Sequence, residues 1–167
     1  MRTRTLLHLN CLGAAGLLAC ATAVAEVRDV ELKAAYIYNF VQFTVWPDGV
    51  RAKEPFVVCA SPDSALWGSL QAYNGKLVNK RLWSAADAAG RQKQGGCDVL
   101  VLARAAEPPA PNPGMLVVRD GSGRGAVAIT LVDGGEQIRF DVDTEEAQRN
   151  GLRFSSKLLR LARNVTT

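Results

Sequence analysis

Histidine is almost missing from this sequence: His8 is the only one among 167 residues, and it lies near the N-terminus. The Ser-His-Asp triad, the Cys-His pair and the His-containing zinc sites all need an imidazole. Beyond residue 25 only two cysteines are left, too few for a four-thiolate zinc site. No spacing of carboxylates or lysines singles out another catalytic group. We therefore expect a protein that is not an enzyme and has neither a cofactor nor a metal site.

Acidic residues are missing from the first 25 positions, which begin with Arg2 and Arg4 and continue with apolar and small residues. The segment ends with small residues at Ala23 and Ala25. A basic start, a short apolar stretch and small residues before the cut are the layout of a secretory signal peptide. We predict a signal peptide over residues 1–25, cleaved near Ala25, and hence an exported protein.

Two alternatives for this segment stay open. Leu-Leu-Ala before Cys20 forms a passable lipobox, which would leave Cys20 as the acylated N-terminus of an anchored lipoprotein. A retained membrane anchor is the other alternative, but a span needs about 20 strongly apolar residues and this stretch is shorter and weaker.

Runs of basic residues are also lacking. Removal of Arg2 and Arg4 takes the formal net charge from +4 to +2, so part of the basic character belongs to the leader. No Lys/Arg run interleaved with aromatics remains, which argues against nucleic-acid binding. Residues 26–167 are enough chain for one domain with its own core.

The pattern of apolar residues predicts a single α/β domain, with a mixed sheet and helices on both faces. Helices are predicted at 30–46, 61–73 and 85–94, from Thr144 as cap to Gly151, and after Ser155 or Ser156. Strands are predicted at 55–60, 77–83, 98–102, 115–118, 127–132 and 137–142. The last two flank Asp-Gly-Gly at 133–135, a hairpin turn signal. The final helix is expected to turn Leu158, Leu159, Leu161 and Ala162 inward.

The first predicted helix lies between a capping Asp29 and the helix-stopping Pro47. It carries five aromatic residues, more than one buried stripe can take. Packing in the core is one explanation for them, and contact with another protein is the other. We expect at least one of Tyr38, Phe43 and Trp46 to lie in a homodimer or partner interface.

Three stretches resemble the YfiR family. They are Glu-Leu-Lys-Ala-Ala-Tyr-Ile-Tyr-Asn-Phe-Val-Gln-Phe-Thr-Val-Trp-Pro at 31–47, the two cysteine-bearing strands at 56–59 and 97–102, and the closing segment 138–162. The resemblance implies a periplasmic repressor that binds the periplasmic sensor domain of an inner-membrane diguanylate cyclase. It also implies release by a peptidoglycan-associated outer-membrane lipoprotein, with effects on cyclic-di-GMP and biofilm formation. The sequence departs from the family at Asp143, usually Asn, and at 119–125, usually more apolar.

Cys59 and Cys97 fall at a strand end and a strand start of an exported chain. A disulfide between them is the favoured interpretation, and two buried free thiols are the alternative. The family resemblance supports the pair. It also allows a redox-sensing role, which ranks below simple cross-linking.

A second function remains open, that of a periplasmic small-molecule sensor without a cyclase partner. Its pocket would lie at the carboxyl ends of the parallel strands, near Ser61 and the loop after Leu102. The glycines at 121, 123 and 125 suggest a phosphate loop, but a strand follows them instead of a helix, which favours a plain connection. Lys157, Arg160 and Arg163 are either a solvated face or a surface for an acidic partner.

Overall fold

In the computed structural model, the described residues are 15–49, 55–91, 96–133 and 137–167, and they form a single α/β domain. This described part contains five helices, a mixed sheet of eight strands and a small sheet of two. The fold class expected from the sequence is confirmed. Part of the predicted signal peptide, residues 1–14 with His8, lies outside the described residues, as does most of the turn predicted at 133–135.

The helices are α1 (Ala15–Gln42), α2 (Trp67–Gln71), α3 (Ala88–Arg91), α4 (Thr144–Arg149) and α5 (Ser156–Leu161). The strands are β1 (Thr44–Val45), β2 (Phe56–Ala60), β3 (Leu77–Val78), β4 (Arg81–Asp87), β5 (Val99–Ala103), β6 (Leu116–Asp120), β7 (Ile129–Asp133), β8 (Ile138–Asp143), β9 (Arg153–Phe154) and β10 (Asn164–Thr166).

The large sheet has the strand order β10-β8-β7-β6-β5-β2-β4-β3. Strands β4, β2, β5, β6 and β7 run parallel, while β8 pairs antiparallel with β7 and forms the hairpin that the sequence predicts. Strand β2 has β4 on one side and β5 on the other, so the winding direction reverses between β2 and β5. In open sheets of this kind the crevice for ligands lies at the carboxyl ends of the parallel strands.

One face of the sheet is covered by α1. Its Ala34, Ile37 and Val41 are fully buried, because they recur at the three- and four-residue spacing that lines one side of a helix. Phe40 widens this stripe and packs on Phe140 of β8, with ring centroids 4.8 Å apart. Each fully buried apolar side chain of this size contributes about 1.5–3 kcal/mol, so α1 is a main part of the core.

The opposite face carries a second apolar cluster around Cys59, Cys97, Val117 and Val127. Ala88 of α3 packs against it, which places helices on both faces as expected. Among the described helices, the short α3 is the one that packs on this cluster. We call this side the disulfide face.

The first helix differs from its prediction at both ends. It begins at Ala15, so Asp29 lies inside the helix and is not its cap. It ends at Gln42, and Thr44 and Val45 form β1, which pairs antiparallel with β9. Their β-branched side chains favour an extended backbone, and tertiary pairing with β9 overrides the helical pattern there.

Two other predicted helices are shorter than the sequence suggests. The helix expected over 61–73 is confined to α2, because Ser64 Oγ accepts from Leu66 N in a turn that precedes it. The helix expected over 85–94 is reduced to α3. Ala85 and Ala86 belong to β4 instead, where the ladder with β2 outweighs the helical propensity of alanine. Residues 92–94 of that prediction lie outside the described residues.

The C-terminal part of the structure also differs from its prediction. Asp143, not Thr144, caps α4, since its carboxylate accepts a hydrogen bond from Glu146 N. Ser155 caps α5 as expected. Leu161 is not turned inward but is 68% exposed. The chain then forms β10, a strand that the sequence did not predict, parallel to β8 at the edge of the sheet.

Candidate functional site

Tyr38 joins α1 to the far edge of the sheet. Its ring packs against Tyr73 and Trp83, with centroids 4.9 and 5.7 Å away, and its hydroxyl donates to Leu77 O at 3.0 Å. Burial and the neighbouring Tyr38 raise the pKa of the Tyr73 hydroxyl above its ordinary value. Tyr38 is half-buried, so part of its side chain stays accessible.

Phe43 and Trp46 lie just beyond the C-terminal end of α1, on either side of β1. Trp46 stacks edge-on against Phe56, with centroids 5.2 Å apart, and its indole N–H donates to Val41 O at 3.4 Å. Both side chains are half-buried against the core. Beside them, Val45 is one of the large apolar side chains that are exposed. Each of the three candidate interface residues, Tyr38 in α1 and Phe43 and Trp46 after it, thus keeps some exposed surface.

The edge hairpin β3–β4 is an apolar surface that sequence reasoning missed. Leu77 and Leu82 are cross-strand partners, and they are 65% and 55% exposed. The predicted strand 77–83 is split by a turn in which Asn79 and Lys80 have positive φ angles of 48° and 64°. An asparagine, which tolerates this conformation, was the available signal for the turn. The Asn79 amide donates to Val41 O at 3.2 Å and fixes the hairpin to α1.

The disulfide is present between Cys59 and Cys97, with Cα atoms 5.8 Å apart. It joins Cys59, near the end of β2, to Cys97, which lies two residues before β5. Strands β2 and β5 are neighbours in the sheet. Both cysteines are buried. Because solvent does not reach the sulfurs in this fold, the geometry supports a structural cross-link.

A buried ion pair lies at the amino ends of the same strands. Asp98 is 1% exposed and accepts two hydrogen bonds from the guanidinium of Arg81, at 3.0 and 2.8 Å. It also accepts from Val57 N at 2.7 Å. Arg81 lies over the ring of Phe56 and donates to Pro55 O. The pair holds β2, β4 and β5 together below the disulfide.

At the carboxyl ends of the strands, Lys33 of α1 bridges two carboxylates. Its ammonium lies 2.8 Å from Asp120 and 2.8 Å from Asp133, and Asp133 also pairs with Arg104. Burial alone lowers the pKa of Lys33, but hydrogen bonds to the two carboxylates and their negative charges outweigh it, so the pKa is raised. This network ties α1 to β6 and β7.

The basic residues near the C-terminus do not form one face. Lys157 and Arg160 are exposed on α5, whereas Arg163 follows the helix and binds Asp141 of β8 through Nε and Nη2. These hydrogen bonds raise the pKa of Arg163, with a smaller contribution from the charge of Asp141. Of these three basic residues, Lys157 and Arg160 remain available for an acidic partner.

The described ranges contain neither a cluster of metal ligands nor a membrane-spanning helix. These residues hold no group of three or more His, Cys, Asp or Glu side chains placed to bind a metal ion. None of the helices in the same ranges combines the length and apolarity needed to cross a membrane.

The chain belongs to the YfiR/HmsC-like family, whose family model matches residues 30–163. The match spans nearly all of the α/β domain, from the middle of α1 to the residue before β10. No curated protein matches the sequence. The family is periplasmic and generally non-catalytic, and membership supports a regulatory role with a protein partner in signalling.

Proposed function

We propose that the protein is a periplasmic negative regulator that binds the sensor domain of an inner-membrane diguanylate cyclase. By restraining the cyclase it lowers cyclic-di-GMP and limits biofilm formation. The observation that carries this proposal is the family match over residues 30–163. A peptidoglycan-associated outer-membrane lipoprotein is the proposed antagonist, and the regulator itself is proposed to be a homodimer.

The proposed role requires that the protein is first exported to the periplasm. Signal peptide cleavage near Ala25 delivers residues 26–167 to the periplasm, with lipoprotein processing at Cys20 as the alternative. The mass of the protein purified from the envelope separates the two, because only the lipoprotein carries acyl chains and starts at Cys20.

The proposed contact surface includes the exposed parts of Tyr38, Phe43 and Trp46. Aromatic side chains that are held in place and still partly exposed are typical anchors of protein interfaces. Tyr38 is held by its packing on Tyr73 and Trp83, and Trp46 by its packing on Phe56, which limits the entropy that these two side chains lose on binding.

Deletion of the gene tests the proposal. Cyclic-di-GMP and surface attachment should both rise, since the cyclase loses its restraint. The rise should vanish when the partner cyclase gene is deleted as well. An unchanged cyclic-di-GMP level in the single deletion, under conditions where the protein is normally made, would refute the repressor role.

A further inference from the structure

Arg119 is a charged side chain enclosed in the protein interior, with only 1% of its surface exposed. Its guanidinium donates to Gly125 O at 2.7 Å and to Ala106 O at 3.2 Å. Its Nε is buried and has no acceptor, and no carboxylate in the described ranges forms an ion pair with it. Buried cations in proteins are as a rule paired with an anion, so this one lacks its counter-charge.

The side chain lines a cavity of about 280 Å³ on the disulfide face. Strand register puts Arg119 of β6, Thr130 of β7 and Asp141 of β8 in one row across the floor of this cavity. Ser122 and two glycines of the following loop form a wall. A space of this size is close to the smallest ligand pockets of proteins.

The loop beside Arg119 presents backbone donors without protein acceptors. Within the described part of the chain, no N–H from residue 122 to 126 forms a hydrogen bond to the protein. Gly121 and Gly125 have φ angles of +88° and +75°, and a Cβ on Gly123 would lie 2.1 Å from Arg104 O. The glycines therefore allow the loop to fold tightly over Arg119, and successive free N–H groups of this kind are the donors that anion sites use.

Two carboxylates at the other end of the cavity already have partners. Asp141 is held by Arg163, and Asp143 accepts from Glu146 N as the cap of α4. The Arg119 end has no such compensation and gains a further positive charge from exposed Arg124. The electrostatic asymmetry directs an anion to the Arg119 end of the cavity.

We propose that Arg119 and the amides of residues 122–126 bind the oxyanion group of a small molecule, a carboxylate or a phosphate. A guanidinium with donors left over after two carbonyls offers the planar fork that oxyanions fit, and the loop amides complete the contact from one side. The cavity beyond them holds the remainder of the molecule. This site is separate from the proposed cyclase contact on α1 and does not depend on it.

Amide NMR on the ¹⁵N-labelled protein purified after export tests the site. In chloride buffer of constant ionic strength, inorganic phosphate and acetate are titrated in separate experiments. We expect saturable shifts of the amide signals of residues 122–126 with at least one anion. Tighter binding of phosphate indicates a phosphorylated ligand, and tighter binding of acetate a carboxylic acid.

Three variants complete the experiment. Arg119→Met should abolish the saturable shifts, while Arg124→Met, which removes an exposed cation of the same loop, should keep them. Arg119→Lys keeps the charge but lacks the planar set of N–H donors of a guanidinium. Binding of the anion should therefore weaken about tenfold or more, which is the loss typical of a charged hydrogen bond. If Arg119→Met fails to fold, the comparison of anion binding by the wild type and by Arg119→Lys still tests the site. Shifts that never saturate with either anion, or equal binding by Arg119→Lys, would mean that Arg119 only holds two loops together.

Discussion

The hydroxyl of Tyr38 donates a hydrogen bond to the backbone carbonyl of Leu77, which joins α1 to the edge hairpin of the sheet. A residue expected to face a partner thus also supports a surface with two exposed leucines. Any test of Tyr38 has to separate these two roles. Tyr38→Phe does so in part, since it removes one hydrogen bond and keeps the ring.

The first prediction concerns the candidate interface on α1. Alanine is introduced at Tyr38, Phe43 and Trp46, one position at a time. At least one variant should relieve repression of the cyclase while its melting temperature falls by only a few degrees, because these side chains are only half-buried. Cyclic-di-GMP and thermal unfolding are measured together. Phe40→Ala is the matched control: this ring is fully buried, and its loss should cost about 3–5 kcal/mol of folding free energy. The interface assignment fails if all three variants behave like the control, or if all three repress normally.

The second prediction concerns the disulfide. Protein purified without reductant and then denatured should show no free thiol, whereas a reduced sample should show both. Cys59→Ala should lower the free energy of unfolding by roughly 4 kcal/mol, since the bridge closes a loop with a sequence separation of 38. Urea denaturation of the variant and of the oxidised wild type gives the difference. Two thiols per chain in the oxidised sample would contradict the cross-link.

The third prediction concerns the buried pair of Asp98 and Arg81. Asp98→Ala should lower the free energy of unfolding by about 3–5 kcal/mol, because it leaves a guanidinium without its carboxylate and Val57 N without its acceptor. Chemical denaturation measures the loss. Arg149→Ala serves as control, since its pairs with Glu145 and Glu146 are on the surface and should contribute less than about 1 kcal/mol. Equal losses in the two variants would show that the buried pair has no special role.

The fourth prediction concerns pH and Lys33. Its pKa is higher in the folded chain than the ordinary value of 10.5, so its ionised form stabilises the fold below that pH. This contribution disappears as the pH rises through the folded pKa. The wild type should therefore lose more stability above about pH 10.5 than Lys33→Met does. Denaturation of both proteins across this range gives the comparison, and parallel curves would be the contrary result. All other ionisable groups are common to the two proteins, so the difference between the curves reports on Lys33.

The sequence predicts those elements whose signal is local. The Val-Leu-Val-Leu run of β5 and the hairpin β7–β8 are found where expected, because a continuous apolar run and a turn signal need no information from distant residues. The helices expected over 61–73 and 85–94 are largely lost. The alanine-rich pattern at 85–94 suits a helix as well as a buried strand, and the pairing of β4 with β2 decides between the two. The stretch 61–73 contains turns before α2 instead.

The same distinction between local and long-range signals applies to the candidate sites. Cys59 and Cys97 could be paired from sequence because they are the two cysteines left after the predicted signal peptide and flank predicted strands. Arg119 could not be placed, since a charged residue after Val118 looks like the end of a strand. Only the loops at 104–108 and 121–125, folding over the sheet from outside the strand, enclose it. The exposed pair Leu77 and Leu82 was missed because the turn between them depends on two residues with positive φ.

The contact between Phe40 and Phe140 has a consequence for export. The two rings meet in the centre of the core, yet they are about a hundred positions apart in the chain. Contacts of such long range form late, since the intervening chain must be ordered first. Until the C-terminal third of the chain is available, α1 lacks β8, one of the elements against which it packs beside α2. On the proposed export route, the part of α1 that faces β8 would therefore stay exposed until β8 has left the secretion channel. During that interval periplasmic chaperones would find their binding surface on this helix.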